Sequence, residues 1–163
     1  CEGTAHTTDI EETVSNSTLC AGALRSSFDL CLERLKANSI DVEDLGFAIG
    51  FEFGPMAISR LGMQGDRVRC SISRGTLESE KQQSRCNGTQ TAIGQKAYDE
   101  GTEAVRGLFG SSRIRGNLDY NEVVEALAAG GDKTAKEAKQ SAYINKGAAA
   151  ILSTQAPVRP HAT

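Results

Sequence analysis

An alternating run of residues followed by a Gly-Pro pair constrains the fold of this chain more than any other feature. Over residues 45–53, large apolar side chains occupy the odd positions and small or charged ones the even positions. Successive side chains of a strand point to opposite faces, so the run predicts a β-strand with one apolar face. Gly54-Pro55 predicts a turn, and residues 56–61 are predicted to return as the second strand of a hairpin.

Two further patterns predict a mixed fold. Residues 67–73 alternate again, which predicts a third antiparallel strand. Residues 17–36 carry apolar side chains three or four positions apart, which predicts a helix capped by Ser17. The apolar stripe of this helix consists of Cys20, Leu24, Phe28, Cys31 and Leu35. The predicted fold class is α+β, an antiparallel sheet with helices packed on one side.

The flanking segments add shorter elements. Residues 1–16 are polar and aperiodic, which predicts a loop or a frayed end. Asp119 is predicted to cap a helix that ends before Gly130-Gly131. Other short helices are predicted over residues 75–85, 95–109 and 133–143, and a short strand over residues 112–118. Residues 89–93 are predicted as either a short strand or the entry to the next helix.

Composition and charge disfavour several functional classes. The chain has 163 residues, 39% hydrophobic and 24% charged, which is typical of one soluble globular domain. Aromatic residues make up only 5%, with no Trp, so a base-stacking nucleic-acid platform is not expected. The net charge of −3 disfavours sequence-independent binding to nucleic acid or to an anionic membrane. No apolar run approaches the roughly 18–20 residues of a membrane span.

Cysteine and histidine placement disfavours several kinds of site. The five cysteines are odd in number, widely spaced and without a CxxC pair, so neither a zinc site nor a disulfide framework is predicted. Free cysteines indicate a reducing, cytoplasmic compartment. The two histidines, His6 and His161, lie near the ends of the chain, which disfavours a Ser-His-Asp or Cys-His site. No phosphate-binding GxxxxGK[ST] loop and no GxGxxG motif is present.

The order of glycines and arginines between residues 47 and 98 is more informative. Residues 48–55 read AIGFEFGP, residues 61–62 read LG, residues 66–72 read DRVRCSI, and residues 93–98 read IGQKAY. This series of an xIGxxxGP strand, a return strand ending in Gly, an Arg-containing strand and a helix resembles the second half of a class III nucleotidyl cyclase domain. The resemblance covers roughly residues 17–100.

The resemblance implies an activity and its requirements. Such an enzyme converts a nucleoside triphosphate into a 3′,5′-cyclic nucleotide and pyrophosphate, with two Mg²⁺ or Mn²⁺ ions and a head-to-tail homodimer. A retained hairpin beside a diverged helix is similar to the pyrimidine cyclases of bacterial anti-phage defence, which make cyclic UMP or cyclic CMP. An adenylate or guanylate cyclase is the other enzymatic reading. No nucleic acid or membrane is expected as a partner.

The resemblance also implies candidate site residues. Arg74 and Lys81 are the predicted catalytic cations, because they follow the last strand on the helix that faces the triphosphate in this family. Arg67, Arg69 and Ser79 are the predicted substrate-binding residues. The structural alternatives are a solvated sheet face for the two strand arginines, a solvated charged helix face for Lys81, and close packing for Ser79.

Several positions depart from the family pattern. The family's helix supplies an Asn and an Arg, but the matching positions here fall on Leu77 or Glu78 and on Lys81 or its neighbour. The two metal-binding Asp of the family lie in its first half, and no matching segment precedes residue 17. Either that half was removed from this chain, or the chain is a degenerate relative that binds a nucleotide or a partner without catalysis. A structural α+β domain with a coincidental likeness is the third reading.

The resemblance divides the chain into three parts. Residues 1–16 form a polar N-terminal segment, residues 17–118 the C-terminal half of a cyclase-like domain, and residues 119–163 a helical extension with a mobile tail. Glu52 is interpreted as a surface residue, with an approach to a partner subunit as the alternative. Gly54 and Pro55 are interpreted as structural, with a positive φ expected at Gly54 because tight turns of this kind often require one.

Overall fold

The fold is described from a computed structural model for residues 9–63 and 65–141. The strands are β1 (Ile49–Phe51), β2 (Ala57–Met63), β3 (Asp66–Ile72), β4 (Gln90–Ile93) and β5 (Ile114–Gly116). The helices are α1 (Ile10–Ala37), α2 (Arg74–Gln83), α3 (Gln95–Glu100), α4 (Glu103–Phe109) and α5 (Tyr120–Ala129). Residues 133–141 are also helical. The predicted α+β class is confirmed.

The strands form two separate sheets. β1 pairs in parallel with β4, and β4 pairs antiparallel with β5, so the main sheet is mixed and has the order β1-β4-β5. β2 and β3 form a two-stranded antiparallel hairpin from the pair Ala57–Ile72 to the pair Met63–Asp66. Parallel strands need a long crossover connection. That connection here consists of the β2–β3 hairpin and α2.

The predicted hairpin between the first two strands is wrong. Only three residues of the alternating run form β1, and β2 pairs with β3 instead of returning along β1. The alternation correctly marks an extended segment, but period two does not specify which strand lies beside it. β4 takes that place, and Gly94 N donates a 2.8 Å hydrogen bond to Phe51 O just beyond the paired residues.

Helix α1 begins earlier than its apolar pattern predicted. Asp9, not Ser17, is the N-cap, and its carboxylate accepts a 3.0 Å hydrogen bond from Glu12 N. The prediction of a loop over residues 1–16 is therefore wrong from residue 10 onward, while the predicted end near Ala37 is confirmed. Ser17 lies inside the helix, where its hydroxyl donates to Thr13 O at 2.8 Å.

The buried face of α1 also differs from the predicted stripe. Cys20, Leu24 and Cys31 are exposed. The helix instead buries a narrow face of mostly small residues, because α5 crosses it closely: a Cβ on Gly22 would lie 3.1 Å from Val123 Cγ2. The buried residues of α1 are Val14, Ser15, Thr18, Leu19, Ala21, Gly22 and Arg25.

The remaining elements largely follow their predictions. The expected helix over residues 95–109 is interrupted at Gly101, and Thr102 begins a new helix by accepting a 3.3 Å hydrogen bond from Val105 N. The helices after Gly75 and Asp119 and the strands near residues 90 and 115 are confirmed. The core joins α1, β4, α4 and α5 through residues that include Leu19, Ile93, Val105, Phe109, Leu118, Val123 and Leu127.

Three further predictions concern single residues and chemistry. Gly54 does not have a positive φ, so the expected reason for glycine there is wrong. A Cβ at this position would make only an ordinary van der Waals contact with Gly75 Cα. Cys20, Cys31, Cys70 and Cys86 are free thiols. Among residues 9–63 and 65–141, no helix is both long and apolar enough to cross a membrane. The predicted mobile tail lies outside the described residues.

Candidate functional site

The N-terminus of α2 is held in place by its capping residue. The Ser73 hydroxyl accepts a 2.9 Å hydrogen bond from Gly75 N and donates a 2.8 Å hydrogen bond to Pro55 O. A Cβ on Gly54 would lie 3.4 Å from Gly75 Cα. The Ser73 hydroxyl therefore holds the start of α2 against the chain that leaves β1, where Gly54 and Gly75 are in ordinary contact.

The body of α2 lies directly on β1 at Gly50. A Cβ on Gly50 would collide with Gln83 N and would lie 2.5 Å from Ser79 O, both of which are backbone atoms of α2. The Ser79 hydroxyl donates to Gly75 O at 2.8 Å, inside the helix. Only glycine at position 50 permits this approach, so the xIGxxxGP motif sets the position of α2 on the sheet.

The exposed face of α2 carries a strip of alternating charge. Arg74, Glu78 and Lys81 are four and three positions apart, so they lie on one side of the helix. Lys81 Nζ is 2.7 Å from Glu78 Oε1. The hydrogen bond from Lys81 is the main reason that the pKa of Glu78 lies below its ordinary value, and the charge of Arg74 acts in the same direction. The two predicted catalytic cations thus flank one carboxylate.

The other predicted site residues lie on neighbouring elements. Arg67 and Arg69 are in β3, which ends one residue before the N-cap of α2, and they pair in register with Gly62 and Arg60. Their side chains lie outside the described part of the chain. Ser79 is half-buried and its hydroxyl is directed to its own helix. The structure thus places Arg74, Ser79 and Lys81 on one helix, and the strand leading into it carries both arginines.

The sequence interpretation missed a buried arginine behind this site. Arg25 is 1% exposed, and its guanidinium donates hydrogen bonds to the carbonyl oxygens of Phe47, Gly88 and Gln90. It also stacks over the Phe47 ring, 5.6 Å from the centroid. Burial lowers the pKa of Arg25 from its ordinary value, although nearby Asp29 and Cys86 oppose that shift. Arg25 joins α1 to the loops that enter β1 and β4.

The interpretation of Glu52 as a surface residue is wrong. Its Oε1 accepts 2.8 Å hydrogen bonds from Phe53 N and from Ala97 N, so the half-buried carboxylate fixes the start of α3. A Cβ on Gly94 would collide with this carboxylate. The signal in the sequence was a single acidic residue on the glycine-rich side of a strand.

The described residues do not assemble a metal site. In residues 9–63 and 65–141, no group of three or more His, Cys, Asp or Glu side chains is positioned to hold a metal ion. The divalent ions implied by the resemblance therefore have no matching set of ligands in this part of the chain.

Comparisons with known proteins give relatives of one kind. A uridylate cyclase from Pseudomonas aeruginosa is 56% identical over 161 residues, which cover 99% of this chain and 31% of that protein. A uridylate cyclase from a Rhizobium species is 44% identical over 126 residues, 77% of this chain and 23% of that protein. The chain thus spans less than a third of the length of either relative. No protein-family model matches it.

A solved structure supports the same relationship. The crystal structure of a class III adenylyl cyclase-like ATP-binding protein from Pseudomonas aeruginosa matches with a TM-score of 0.71 and 60% sequence identity. The match covers 78% of this chain and 27% of that one. At this level of identity, the likeness extends to the sequence as well as the fold.

Proposed function

The chain belongs to the class III nucleotidyl cyclases, as its motifs predicted, and on that premise we propose that it is part of an enzyme that cyclises a pyrimidine nucleoside triphosphate. The product is cyclic UMP or cyclic CMP, with pyrophosphate as the second product. The observation that carries this proposal is the 56% identity to a uridylate cyclase over 99% of the chain. The retained glycine at position 50, against which α2 packs, adds structural support.

The proposed reaction is an internal displacement. The ribose 3′ hydroxyl gives its proton to water as its oxygen attacks the α-phosphorus. The bond from that phosphorus to the bridging oxygen breaks, and pyrophosphate leaves with the electron pair of that bond. Negative charge builds up on the phosphate oxygens in the transition state, and fixed cations stabilise it. In this proposal the chain supplies such cations from α2 and from the strand that leads into it.

Arg74 is the best-placed of these cations. It is the first residue of α2, and the N-terminus of a helix attracts anions through its unpaired N–H groups and its dipole. It is exposed, so its guanidinium can reach a ligand. Arginine can also hold two phosphate oxygens at once. We assign Arg74 to the triphosphate, with Arg67 and Arg69 as further phosphate contacts.

Lys81 has a second role in the proposal. It lies seven residues after Arg74, about 10 Å further along the helix axis. Its ammonium is paired with Glu78, and its side chain is 66% exposed. Binding of the triphosphate would therefore transfer Lys81 from the carboxylate to a phosphate oxygen. Ser79 lies between the two cations with its hydroxyl bonded to Gly75 O, and its predicted substrate contact stays a prediction.

Turnover by an arginine variant tests this assignment. In the natural full-length protein, Arg74→Ala is expected to lower kcat by about 100-fold, the typical effect of removing one transition-state donor. The matched control is Arg85→Ala, because Arg85 is an exposed arginine beyond the opposite end of α2 that contacts Gln82 Oε1 at 2.6 Å. Equal activity in the two variants, with unchanged melting temperatures, would refute the role of Arg74.

The alternative is a cyclase-like module that binds nucleotide without catalysis. The observation that favours it is the replacement of the family's Asn and Arg on α2 by residues near Leu77 and Lys81. The same preparations distinguish the two functions. The binding module is supported if the natural protein binds UTP without forming any cyclic product and if Arg74→Ala weakens that binding. The same result contradicts the enzyme.

Two Mg²⁺ or Mn²⁺ ions complete the proposal as cofactors implied by the family. The described residues do not fit them, because no suitable group of ligands is present there. No step above is therefore assigned to a metal ion.

We also propose a head-to-tail homodimer. The β2–β3 hairpin is a two-stranded unit, and such units are marginally stable alone in water. Val68 and Ile72, on the same side of β3, are 63% and 64% exposed. We expect the double variant V68S/I72S to lower the dimer fraction in analytical ultracentrifugation, whereas Leu30→Ser, at an exposed site on α1, leaves it unchanged. An unaffected dimer would contradict this surface.

The biological setting is proposed from the resemblance to the pyrimidine cyclases of bacterial anti-phage defence. An anti-phage signal in the cytoplasm would suit a cyclase that makes a pyrimidine cyclic nucleotide. The expected result is that a strain lacking the cyclase, or carrying Arg74→Ala, loses protection against phage. Equal protection with wild type and Arg74→Ala would contradict a role for the cyclic product in defence.

A further inference from the structure

Glu78 is a carboxylate in the middle of a helix face that is proposed to bind phosphate. It lies four residues after Arg74 and three before Lys81, on the same side of α2. Lys81 Nζ donates a 2.7 Å hydrogen bond to Glu78 Oε1. That bond, together with the charge of Arg74, holds the pKa of the carboxylate below its ordinary value. Both cations of the proposed site therefore attract an anion that belongs to the protein itself.

The two members of the ion pair differ in their freedom to move. The Glu78 side chain is 32% exposed, whereas the Lys81 side chain is 66% exposed. The lysine ammonium is also carried on a flexible four-carbon stem. The pair therefore opens more easily by movement of Lys81 towards a ligand than by movement of Glu78.

The start of α2 lacks the acidic residue that three other helices of the chain have in the same place. Helices α1, α4 and α5 each carry a glutamate in the first turn, where a carboxylate interacts favourably with the helix dipole. The first turn of α2 has none and begins with Arg74. Glu78, about one turn further on, is the first carboxylate of this helix. An anion from outside that binds at Arg74 therefore comes close to Glu78.

From these features we propose that Glu78 is an internal competitor of the substrate: its carboxylate takes in the free protein the place beside Lys81 that a phosphate oxygen takes in the complex. This inference rests on the proposed function and concerns the regulation of that same site. Lys81 must leave Glu78 before a triphosphate contacts both cations, and the carboxylate repels the phosphate. When pyrophosphate leaves, Glu78 pairs with Lys81 again. Glu78 thus limits the affinity for substrate and accelerates the release of product.

Pyrophosphate binding by Glu78→Gln tests this proposal. In the natural full-length protein, the substitution is expected to tighten pyrophosphate binding about fivefold in calorimetric titration, because a neutral amide competes weakly for Lys81 and does not repel phosphate. The KM for UTP should fall by a similar factor. The difference from wild type should largely disappear in about 1 M salt, which screens exposed charges.

The matched control is Glu80→Gln. It removes the same charge from the same helix, but Glu80 is exposed and lies two positions further on, on the opposite side of α2. It is expected to bind pyrophosphate as wild type does. Equal tightening by Glu80→Gln and Glu78→Gln would show only a general effect of net charge and would overturn the proposal.

A second background tests whether Glu78 acts through Lys81. In Lys81→Met, the further change Glu78→Gln is expected to tighten pyrophosphate binding by less than about twofold, because the cation for which Glu78 competes is gone. The full fivefold gain in this background would overturn the assigned competition. So would pyrophosphate binding that Glu78→Gln leaves unchanged or weakens in the otherwise natural protein.

The titration does not depend on turnover, so the two proposals can fail separately. If the natural protein forms cyclic product and Glu78→Gln does not tighten pyrophosphate binding, the internal competitor is refuted and the enzyme is not. If no cyclic product forms but Glu78→Gln tightens binding as expected, the enzyme is contradicted and the competitor is supported.

Discussion

The substitution Gly50→Ala tests most sharply how the sheet positions α2. The added Cβ would lie 2.5 Å from Ser79 O, whereas ordinary van der Waals contact begins at 3.4 Å. Backbone atoms of a helix cannot turn aside as a flexible side chain can, so α2 must shift by about 1 Å or separate from β1. Overpacking of this kind typically costs about 1–3 kcal/mol. A clash with three backbone atoms lies at the upper end.

The assay for Gly50→Ala is urea denaturation monitored by far-UV circular dichroism. A loss of about 3 kcal/mol in the free energy of unfolding corresponds to a melting temperature lowered by about 6–12 °C for a chain of this size. Because the displaced helix carries Arg74, binding of UTP should weaken as well.

The control for Gly50→Ala is Gly107→Ala. Gly107 lies inside α4, and no atom lies within 4 Å of the position of its Cβ. This substitution is expected to stabilise the protein by about 0.5–1 kcal/mol, because alanine favours a helix more than glycine does. If Gly50→Ala unfolds at the same urea concentration as wild type, the argument from close packing is refuted.

Three further predictions concern buried or capping groups. Arg25→Met removes hydrogen bonds to three carbonyl groups, of which Gly88 O keeps Phe47 N as a second donor. It should lower the free energy of unfolding by about 3 kcal/mol in urea denaturation, and a loss below about 1 kcal/mol would contradict its joining role. Burial raises the pKa of Asp119, but hydrogen bonds from Glu122 N, Asn121 N and the Ser26 hydroxyl outweigh it and hold that pKa below its ordinary value. Its stabilising effect is therefore complete above the unfolded-state pKa and is lost as the pH falls through the folded-state value. Asp119→Ala should cost about 1 kcal/mol at about pH 6 and less at about pH 3, and a pH-independent cost would refute this. Burial raises the pKa of the Cys86 thiol above its ordinary value, despite opposing effects of Arg85 and Arg25. Because maleimide reacts with the thiolate, it should label the exposed Cys20 before Cys86. Equal labelling rates of the two cysteines, measured by mass spectrometry, would contradict this.

The local elements were predictable where one short signal decides them. Asp119 followed by an apolar helical pattern correctly predicted α5, and its carboxylate caps Asn121 N and Glu122 N. The alternation over residues 67–73 correctly predicted β3. In each case the signal lies within one turn or one strand. These two elements can therefore be predicted without knowledge of distant residues.

Strand pairing and helix orientation depend on distant residues and were not predictable in the same way. The β1–β4 pairing joins residues 49 and 91, and no local pattern specifies such a partner. The apolar stripe of α1 was wrong because α5 selects the side with Gly22, where two backbones approach closely. Cys20, Leu24 and Cys31 of the predicted stripe are exposed, so hydrophobicity alone does not decide which side of a helix is buried.

The position of the candidate site was predicted from the family resemblance and not from the chemistry of its side chains. The motif around Gly50 and Gly54 identified the class, and the structure explains Gly50 by the close packing of α2. The supporting residues were missed because a single charged residue in an amphipathic pattern suggests the surface. Arg25 and Glu52 instead fix backbone groups from separate elements. Such contacts become visible only after the chain has folded.

Product formation from the four nucleoside triphosphates tests the central claim most directly. The natural full-length protein is incubated with ATP, GTP, CTP or UTP in Mn²⁺, and the products are separated by chromatography with mass detection. The proposed function predicts a cyclic pyrimidine nucleotide and an equal amount of pyrophosphate, formed from UTP or CTP and greatly reduced by Arg74→Ala. Cyclic AMP or cyclic GMP as the main product, or no cyclic nucleotide from any of the four, would contradict it.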